Sequence, residues 1–520
     1  MAQPVDLTAG DAPSTEALAV GRRTARQMPD GSPMTAAPLA LLRAAEPEWT
    51  ALVALLRARY PHAEWATFAR AGWRETPDGL VVTLAGIDQP ESGDLDASVP
   101  HVAIDERYSL RVALAAERHA LAVTVIHSHP EGCRTDPSEV DDDMDRYYAR
   151  YFGDFAQGRP YVSLIVAHDP GRDALSASGR VFHNGRWHRV AGVTVEGART
   201  ALQGYAAPPV LSPRRRERVA RLASEFGAEA AERLAASTVG LVGAGGTGSA
   251  ALEVLARAGV GRLVVVDPDR FSASNLERVH GSTDADTETV PPKVVIARRH
   301  VESINPDCRV VALQGAVPQD AVLDALVHAD VVLGCTDQHH SRLALADLAV
   351  RYLVPVIDCG VALEGRQGRI TGQILQLTRM LPADPCPYCR GTVSARRLQQ
   401  ELMSPTERAA RQAAAARVGS RAQRDNPYWE DVPQLNTVGY LTTAAGALAA
   451  AFVVGLITRR FMAPFSRLQL NLAASEFDAV DAGGVPRPQC ACRRTRGLAD
   501  QGHSDAYLTA PLHWPSPKAW

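Results

Sequence analysis

The stretch Thr238-Val-Gly-Leu-Val-Gly-Ala-Gly-Gly-Thr-Gly248 decides the fold of the second half of this chain. Its apolar start, residues 238–242, is typical of a buried strand, and a Gly-x-Gly-x-x-Gly turn that opens a helix follows it. Glycines permit a tight turn and let a phosphate approach the backbone N–H groups at the helix N-terminus. The glycines of this turn are Gly243, Gly245, Gly246 and Gly248. Alone, the turn fits an NAD- or FAD-dependent oxidoreductase as well as it fits any other nucleotide-binding protein.

Strands and helices alternate on both sides of this turn. A charged helix is predicted at 214–234, and further strands are predicted at 263–266, 310–313, 331–333 and 354–357. Such alternation predicts a parallel, doubly wound sheet, and therefore an α/β fold of the Rossmann-like kind. The apolar run 441–457 contains two Gly and two Thr, and we predict a buried helix there.

Polar and charged residues follow the predicted strand ends: Asp267, Asp269, Asn275, Arg278, Lys293 and Asp337. One amide and two cations beyond the strands suit a triphosphate better than a dinucleotide. Lys occurs only at 293 and 518, whereas Arg is common, so Lys293 indicates a compact charge near phosphate. Asp337 is placed to hold Mg²⁺ against the phosphates.

From about Arg214 to Cys492, these motifs resemble the ThiF/MoeB/HesA adenylyltransferases, the superfamily that includes ubiquitin-activating enzymes. The resemblance implies attack on ATP by the C-terminal carboxylate of a ubiquitin-like or sulfur-carrier protein, a small β-grasp protein, with release of pyrophosphate. It implies that Asp267 holds ribose, that Asn275, Arg278 and Lys293 hold phosphates, and that Asp337 lies at Mg²⁺ and the carboxylate. Val279 stands where the family has Gln.

The family also uses an Arg from the helix before the glycine turn, often supplied by a partner subunit. The match falls between Arg218 and Arg221, and we expect a homodimer.

Two cysteine pairs, Cys386-Pro-Tyr-Cys389 and Cys490-Ala-Cys492, supply enough thiolates for a closed tetrahedral zinc site. Their position after the ATP motifs resembles the structural zinc of the adenylyltransferases. Activating enzymes that form a thioester carry a Cys between the pairs, but residues 390–489 contain none. Either the reaction stops at the adenylate, or another thiol serves. Cys335 and Cys359 lie near the ATP motifs, although buried structural thiols are commoner there.

A second constellation lies in the first half, in Val123-Thr-Val-Ile-His-Ser-His-Pro130. Because side chains along a strand alternate between its two faces, His127 and His129 lie on the same face and can bind one metal ion. Asp141 is the candidate third ligand, which leaves a fourth tetrahedral position for a water whose pKa zinc would lower.

With Ser138 and Asp141, this segment resembles the JAB/MPN (JAMM) zinc metalloproteases. The resemblance implies zinc at His127, His129 and Asp141, with Ser138 stabilising the tetrahedral intermediate. The loop before Ser138 is one residue longer than usual, which leaves Asp142 and Asp143 open as alternatives to Asp141. The family's Glu, which holds the zinc-bound water, is matched to Glu64, with Glu75 as the alternative.

Length and composition limit the remaining possibilities. A chain of 520 residues suggests two to four domains, and a net charge of −3 without a basic block argues against a nucleic-acid binder. We predict a disordered leader at 1–38, a JAB/MPN-like domain at 39–207, an adenylation domain at 208–492 and a tail at 493–520. An exposed helical insert is predicted at 391–425, and the break at 208–213 is rich in Pro. Sparse Cys and no visible signal peptide favour a cytoplasmic protein without membrane association.

These observations favour a bifunctional enzyme that adenylates a carrier protein and uses its zinc domain to process or deconjugate it. A conjugating enzyme is a further expected partner. The alternatives are an adenylyltransferase of cofactor or sulfur-carrier biosynthesis with a non-catalytic JAB domain, an oxidoreductase, and a nucleotide-binding scaffold without activity.

Overall fold

The computed structural model describes most of the chain. The described residues are 28–33, 37–58, 64–98, 101–169, 174–197, 201–203, 210–366, 369–418, 437–461, 465–474, 476–481, 486–505, 508, 510–511 and 513–520. Most of the predicted leader, part of the 208–213 break and the end of the helical insert lie outside them. The described residues form two domains that pack together.

The N-terminal domain is a mixed α/β unit. Its elements are β1 (Leu39–Ala45), α1 (Glu46–Arg57), β2 (Ala66–Thr76), β3 (Gly79–Asp88), β4 (Leu95–Ser98), β5 (His101–Ile104), α2 (Glu106–Arg118), β6 (Ala122–Ser128), α3 (Glu139–Phe155), β7 (Tyr161–Asp169), β8 (Ala174–His183), β9 (Arg186–Glu196) and β10 (Ala201–Gln203). Eight strands form one sheet in the order β1-β3-β2-β6-β7-β8-β9-β10, and an additional pairing of β1 with β9 closes it.

The start of this domain differs from the sequence prediction in two ways. The apolar spacing from Leu39 to Arg59 predicts a single helix, but residues 39–45 form β1, which pairs in parallel with β3 and β9, and the helix α1 spans only 46–57. Residues 28–33, which fall in the predicted disordered leader, instead pack against this domain. Met28 is buried in the core beneath α2 and α3, and Arg146 donates to the carbonyl of Pro29 at 2.7 Å.

The C-terminal domain carries the glycine turn. Its elements are α4 (Pro213–Arg218), α5 (Ala220–Phe226), α6 (Ala228–Ala236), β11 (Thr238–Val242), α7 (Gly246–Ala258), β12 (Arg262–Val266), α8 (Ala285–Thr289), α9 (Lys293–Ile304), β13 (Arg309–Gln314), α10 (Asp320–Leu326), β14 (Val331–Gly334), α11 (His339–Arg351), β15 (Val356–Arg366), β16 (Arg369–Met380), α12 (Pro387–Arg390), α13 (Ala395–Leu402), α14 (Pro405–Val418), α15 (Gly439–Thr458), β17 (Phe465–Asn471), β18 (Glu476–Asp481), α16 (Ala491–Arg494) and β19 (Lys518–Ala519).

The nine-stranded sheet of this domain has the order β18-β17-β16-β15-β14-β11-β12-β13-β19. Strands β15, β14, β11, β12 and β13 are parallel, as the alternation of strands and helices predicted. The remaining strands are antiparallel additions at the two ends, which the sequence did not indicate. Because the order reverses on either side of β11, the carboxyl ends of β11 and β14 frame a crevice where ligands bind in such sheets.

Two helical predictions are refined in this domain. The single charged helix predicted at 214–234 is three short helices, α4 to α6, separated near Val219 and Gly227. The predicted insert at 391–425 contains α13 and α14, but α13 is not simply exposed, because its Glu401 side chain is 3% exposed and packs against α11.

The apolar run at 441–457 lies within α15, as predicted. By length and composition this helix could cross a membrane, yet 56% of its most apolar window is buried inside the protein. It packs against α7 and β15, so the described structure accounts for its apolar surface as part of the core.

Polar contacts join the two domains along a broad interface. Arg43 of β1 is 4% exposed and donates to the carbonyls of Val327 and Ala329 at 2.5 and 2.8 Å. Arg74 of β2 lies 2.8 Å from Asp324 and 3.0 Å from Asp500.

The segment 495–505 lies between β2 and α11, since the N–H of Gly72 donates to the carbonyl of Gly497 at 3.2 Å and the N–H of Gly497 donates to the carbonyl of Val350 at 3.0 Å. Gly72 of β2 has no room for a side chain, because an added Cβ would lie 2.2 Å from the carbonyl carbon of Leu498.

Candidate functional site

A cleft of about 630 Å³ lies at the carboxyl ends of the parallel strands. Its walls contain nearly all the residues predicted to bind ATP: Gly243, Gly245, Gly246, Asp267, Asp269, Asn275, Arg278, Lys293 and Asp337. A cleft of this size falls within the range of ligand sites. The geometry therefore brings the predicted nucleotide residues together, with Gly248 just behind them in α7.

Two glycines of the turn, Gly243 and Gly248, have no room for a side chain. Gly243 has φ +98°, and a Cβ there would lie 2.6 Å from the carbonyl oxygen of Cys335. A Cβ on Gly248 would lie 1.8 Å from the carbonyl oxygen of Gly243. The turn brings the N-terminus of α7 to the cleft, where its free N–H groups can meet phosphate oxygens.

Asp267 is buried behind the turn and organises it. Its carboxylate accepts hydrogen bonds from the backbone N–H groups of Ala244 at 2.7 Å and of Asp269 at 2.8 Å. Burial raises the pKa of Asp267 to about 6, and the charge of Lys293 only partly opposes this rise. The predicted ribose ligand thus also fixes the backbone of the turn.

Lys293 begins α9 and points its ammonium toward this carboxylate pair. Its Nζ lies 2.7 Å from Asp269, and 13% of its side chain is exposed. Burial alone would lower the pKa of Lys293, but the carboxylates of Asp267 and Asp269 outweigh burial, so its pKa lies above the ordinary value. The cation is therefore charged and directed at the cleft.

A short 3₁₀ turn brings the other predicted phosphate ligands to the cleft. The Asn275 side chain accepts from the N–H of Ser272 at 3.2 Å, and Arg278 donates to the carbonyl of Ser274 at 2.9 Å. Asp337 follows β14 on the other side of the glycine turn and is exposed to the cleft. Among the described residues no cation pairs with the Asp337 carboxylate, so its oxygens fit a hard divalent cation beside triphosphate oxygens.

The structure adds cleft residues that no motif indicated. Thr437 and Thr442, at the start of α15, line the cleft. Arg342, which follows Asp337 in the motif region of the sequence, also lies there, with its Nε 3.3 Å from the buried Asp358. Nothing in the local sequence pattern marks Thr437 and Thr442.

Arg218 and Arg221 do not reach this cleft within the chain. Arg218 is exposed on α4 and pairs with Asp307 on the far side of the sheet, and Arg221 is exposed on α5. Neither side chain lines the cleft.

The four predicted zinc cysteines converge. Cys386 Sγ lies 3.6 Å from Cys490 Sγ, Cys389 Sγ lies 3.8 Å from Cys492 Sγ, and all four sulfurs lie within 4.8 Å of one another. The sulfurs of a tetrahedral zinc site with Zn–S bonds of about 2.3 Å lie about 3.8 Å apart. The donor set and its spacing fit a closed zinc site.

Cys335 and Cys359 are poorly suited to form a thioester. Burial raises the pKa of both thiols above the ordinary range, and the nearby carboxylate of Asp358 adds to the effect. Since the thiolate is the nucleophile, these positions favour structural thiols.

The His pair of the N-terminal domain meets Asp141 at the end of β6. His127 Nε2 lies 3.0 Å from one oxygen of Asp141, and His129 Nε2 lies 3.5 Å from the other. Burial would raise the pKa of Asp141, but the two imidazoles outweigh it and hold its pKa well below the ordinary range. For His129, burial would lower the pKa, but the hydrogen bond and the charge of Asp141 outweigh burial, so the pKa of His129 lies above its ordinary value. Three ligand atoms that converge in this way fit one metal ion.

The structure separates the alternatives around this cluster. Asp142 pairs with Arg180 and Asp143 with Arg146, so Asp141 alone of the three faces the histidines.

Ser138 caps α3, and its hydroxyl donates to Asp141 at 2.7 Å.

The two candidate bases lie at opposite ends of β2. Glu64 precedes the strand where Ala66 pairs with His127, and its charge acts on His129. Glu75 instead accepts a hydrogen bond from Asn184 at 3.1 Å at the far end of β2. The placement favours Glu64 as the base.

A doubly wound parallel sheet with a glycine turn and cations around its crevice defines an α/β nucleotide-binding domain. More narrowly, the chain belongs to the ThiF family, whose model matches residues 218–493.

Curated relatives carry related names. The chain is 35% identical to the SAMP-activating enzyme E1 of Haloferax volcanii over 32% of this chain and 57% of that protein. It is 34% identical to the sulfur carrier protein ThiS adenylyltransferase of Escherichia coli, over 30% of this chain and 59% of that protein. It is 36% identical to the molybdopterin-synthase adenylyltransferase of Haemophilus influenzae, over 26% of this chain and 55% of that protein. The chain thus spans little more than half the length of these relatives.

Among solved structures, E. coli MccB bound to MccA-N7isoASN shares 18% identity and a TM-score of 0.40, over 53% of this chain and 74% of that one. PaaA shares 19% identity with this chain at a TM-score of 0.40, and the match covers 54% of this chain and 88% of PaaA.

Proposed function

We propose that this protein is an adenylyltransferase that uses ATP and Mg²⁺ to activate the C-terminal carboxylate of a small sulfur-carrier or ubiquitin-like protein. The observation that carries the proposal is the single cleft that collects the glycine turn, Lys293, Arg278 and Asp337. The names of the relatives favour a carrier of cofactor biosynthesis at least as well as a conjugated modifier.

The cleft residues have distinct roles in the proposed reaction. The carrier carboxylate attacks the α-phosphorus, the bond to the β-phosphate oxygen breaks, and pyrophosphate leaves. Lys293 and Arg278 stabilise the charge that develops on the phosphates, and the α7 N-terminus binds phosphate oxygens. Asp337 would hold Mg²⁺, which neutralises phosphate charge when bound. Asp267 holds the turn and accepts from ribose.

The first prediction is that Lys293→Ala abolishes ATP–pyrophosphate exchange. Removing the ammonium leaves the leaving-group charge uncompensated, so the exchange rate falls by at least about 100-fold. Arg257→Ala is the matched control, since its side chain is 61% exposed on the outer face of α7. Wild-type exchange in Lys293→Ala would refute the site, and preferential binding of NAD would favour an oxidoreductase.

We further propose a homodimer in which Arg218 or Arg221 completes the neighbouring subunit's cleft. The support is that both arginines are exposed on helices away from their own cleft. A conjugating enzyme downstream would require a thiol outside Cys335 and Cys359, both of which are unsuited by burial.

For the N-terminal domain we propose a JAMM-like zinc site that cleaves after the C-terminal residue of the same carrier. The convergence of His127, His129 and Asp141 beside Glu64 supports it. When bound, zinc would lower the pKa of a coordinated water, and Glu64 would take its proton. The hydroxyl of Ser138 would donate to the oxyanion once it turns from Asp141.

The second prediction separates metal binding from proton transfer in this domain. Glu64→Gln keeps the zinc content but lowers cleavage of a carrier fusion by at least about 100-fold, because Glu64 acts on the water. Zinc analysis and a cleavage assay measure the two effects, and Glu75→Gln is the control. Equal cleavage by Glu64→Gln and the native protein would exclude this base.

A further inference from the structure

The helix that follows Asp337 begins without a side-chain cap of its own. α11 starts at His339, and its N-cap residue Gln338 makes no capping hydrogen bond. The first N–H groups of a helix lack partners within the helix and need acceptors from elsewhere. Here the acceptor comes from α13, more than fifty residues later in the chain.

Glu401 of α13 supplies that cap. One of its carboxylate oxygens accepts from the N–H of His339 at 3.1 Å, and the other accepts from the N–H of His340 at 2.9 Å. The Glu401 side chain is 3% exposed, and the His340 ring lies 3.3 Å from it. A buried carboxylate at a helix N-terminus is favoured both by the hydrogen bonds and by the helix dipole.

The same helix also holds the backbone of the Asp337 loop. Arg397 pairs with Glu401 at 3.2 Å and donates to the carbonyl of Asp337 at 3.4 Å. The N–H of Ser394 donates to the His339 ring at 3.0 Å. The loop between β14 and α11 is thus fixed by α13 while the Asp337 carboxylate remains exposed to the cleft.

We propose that Glu401 is a positioning residue that sets the orientation of Asp337 toward Mg²⁺ and the ATP phosphates. It touches neither substrate nor metal and acts through the N-terminus of α11. The inference rests on the proposed function, because Asp337 matters only if the cleft binds Mg²⁺ with ATP. It gives α13, predicted only as an exposed insert, a role in the adenylation site.

Glu401→Ala and Glu401→Gln test the role, with Glu407→Gln on α14 as the control, since that side chain is 50% exposed and, among the residues that the structure describes, pairs with Arg411 of its own helix. Calorimetry measures ATP affinity with Mg²⁺ and with EDTA, and the Mg²⁺ dependence of pyrophosphate exchange is titrated in parallel. Hydrogen exchange reports on the amides of His339 and His340.

We expect Glu401→Ala to weaken ATP binding about tenfold in Mg²⁺ and to leave binding in EDTA unchanged. The Mg²⁺ concentration for half-maximal exchange should rise by a similar factor, and the two amides should exchange faster. Glu401→Gln, which keeps an acceptor oxygen, should show about a threefold effect and keeps the test valid if the Ala variant does not fold.

The proposal is overturned if both variants keep the native Mg²⁺ dependence of ATP binding, or if affinity falls equally in Mg²⁺ and EDTA. The second result would indicate a purely structural role. Failure of the adenylation proposal looks different, because the native protein itself would then show no exchange. If the native protein shows no exchange but binds ATP in a Mg²⁺-dependent way, that binding still tests the role of Glu401. If the native protein shows no Mg²⁺-dependent ATP binding either, both proposals are refuted.

Discussion

At the scale of single residues, Asp286 illustrates how a buried carboxylate is kept charged. It accepts from the N–H of Thr283 at 2.7 Å and pairs with Arg299 at 2.7 Å. The hydrogen bond from Arg299 is the largest cause that lowers the pKa of Asp286, to about 2. A folded pKa below the ordinary value means that the stabilisation is complete above about pH 4 and is lost as pH falls toward 2.

The third prediction follows from the lowered pKa of Asp286. Asp286→Asn should lower stability by about 1 kcal/mol at pH 7, because Arg299 is half exposed and its charge is screened by solvent. The difference in unfolding temperature between the variant and the native protein should shrink as pH is lowered from about 5 to about 2, because the carboxyl group is then protonated in both the unfolded and the folded state. Asp284→Asn, an exposed neighbour, is the control. A gap that stays constant with pH would contradict the assignment.

Individual residues also show what could be predicted from the sequence and what could not. Lys293 and Asp337 were predicted because motif spacing ties each to a strand end, and the parallel sheet brings strand ends together. Glu401 was not predicted, because an exposed-looking helix gives no local sign that one carboxylate caps another helix. That contact depends on how α13 packs against α11, which no short pattern encodes.

At the scale of elements, β1 shows a limit of periodicity. Residues 39–45 are almost continuously apolar, and such runs fit a helix or a fully buried strand equally well. Parallel pairing with β3 and β9 decides the outcome by supplying partners for the β1 backbone, and both partners lie far along the chain. The strands of the C-terminal sheet were predicted more closely, because alternating helices separate them.

The C-terminal segment 513–520 is a second element whose role depends on packing. β19 pairs with β13, and Trp514, Pro515, Ser516 and Lys518 help to wall a cavity of about 300 Å³. This cavity shares Gly315 and Ala316 with the nucleotide cleft. A Cβ on Gly315 would lie 3.0 Å from Pro517, so the segment packs against a loop that also lines the nucleotide cleft.

The fourth prediction concerns this support. Trp514→Ala should raise the KM for ATP in pyrophosphate exchange about fivefold, because the Trp514 ring packs against the His340 ring, with centroids 5.1 Å apart, and its loss loosens the wall next to the nucleotide cleft. Trp520→Ala is the control, since its side chain is 46% exposed and its backbone makes the contacts. An unchanged KM in Trp514→Ala would contradict a role for the segment in nucleotide binding.

At the scale of the whole molecule, the segment 495–505 connects the cysteine cluster to the interface between the domains. It begins three residues after Cys492. The carbonyl of Gly497 accepts from Thr83 at 2.7 Å and from the N–H of Gly72 at 3.2 Å, and Arg496 pairs with Glu48 of α1 at 2.6 Å. A metal ion that fixes α16 would therefore also fix the start of the segment on which the N-terminal domain rests.

The fifth prediction is that loss of this metal uncouples the two domains. Without zinc at the four cysteines α16 would be free, and the ordering of 495–505 would cost conformational entropy that no metal binding offsets. Calorimetry should change from one unfolding transition to two in Cys389→Ser, and proteolysis should cut within 495–505. Cys133→Ser is the control, because Cys133 is exposed and lies outside the cluster. A zinc-free Cys389→Ser protein that keeps one transition at the native Tm would show that Arg43, Arg74 and their partners hold the domains together without the metal.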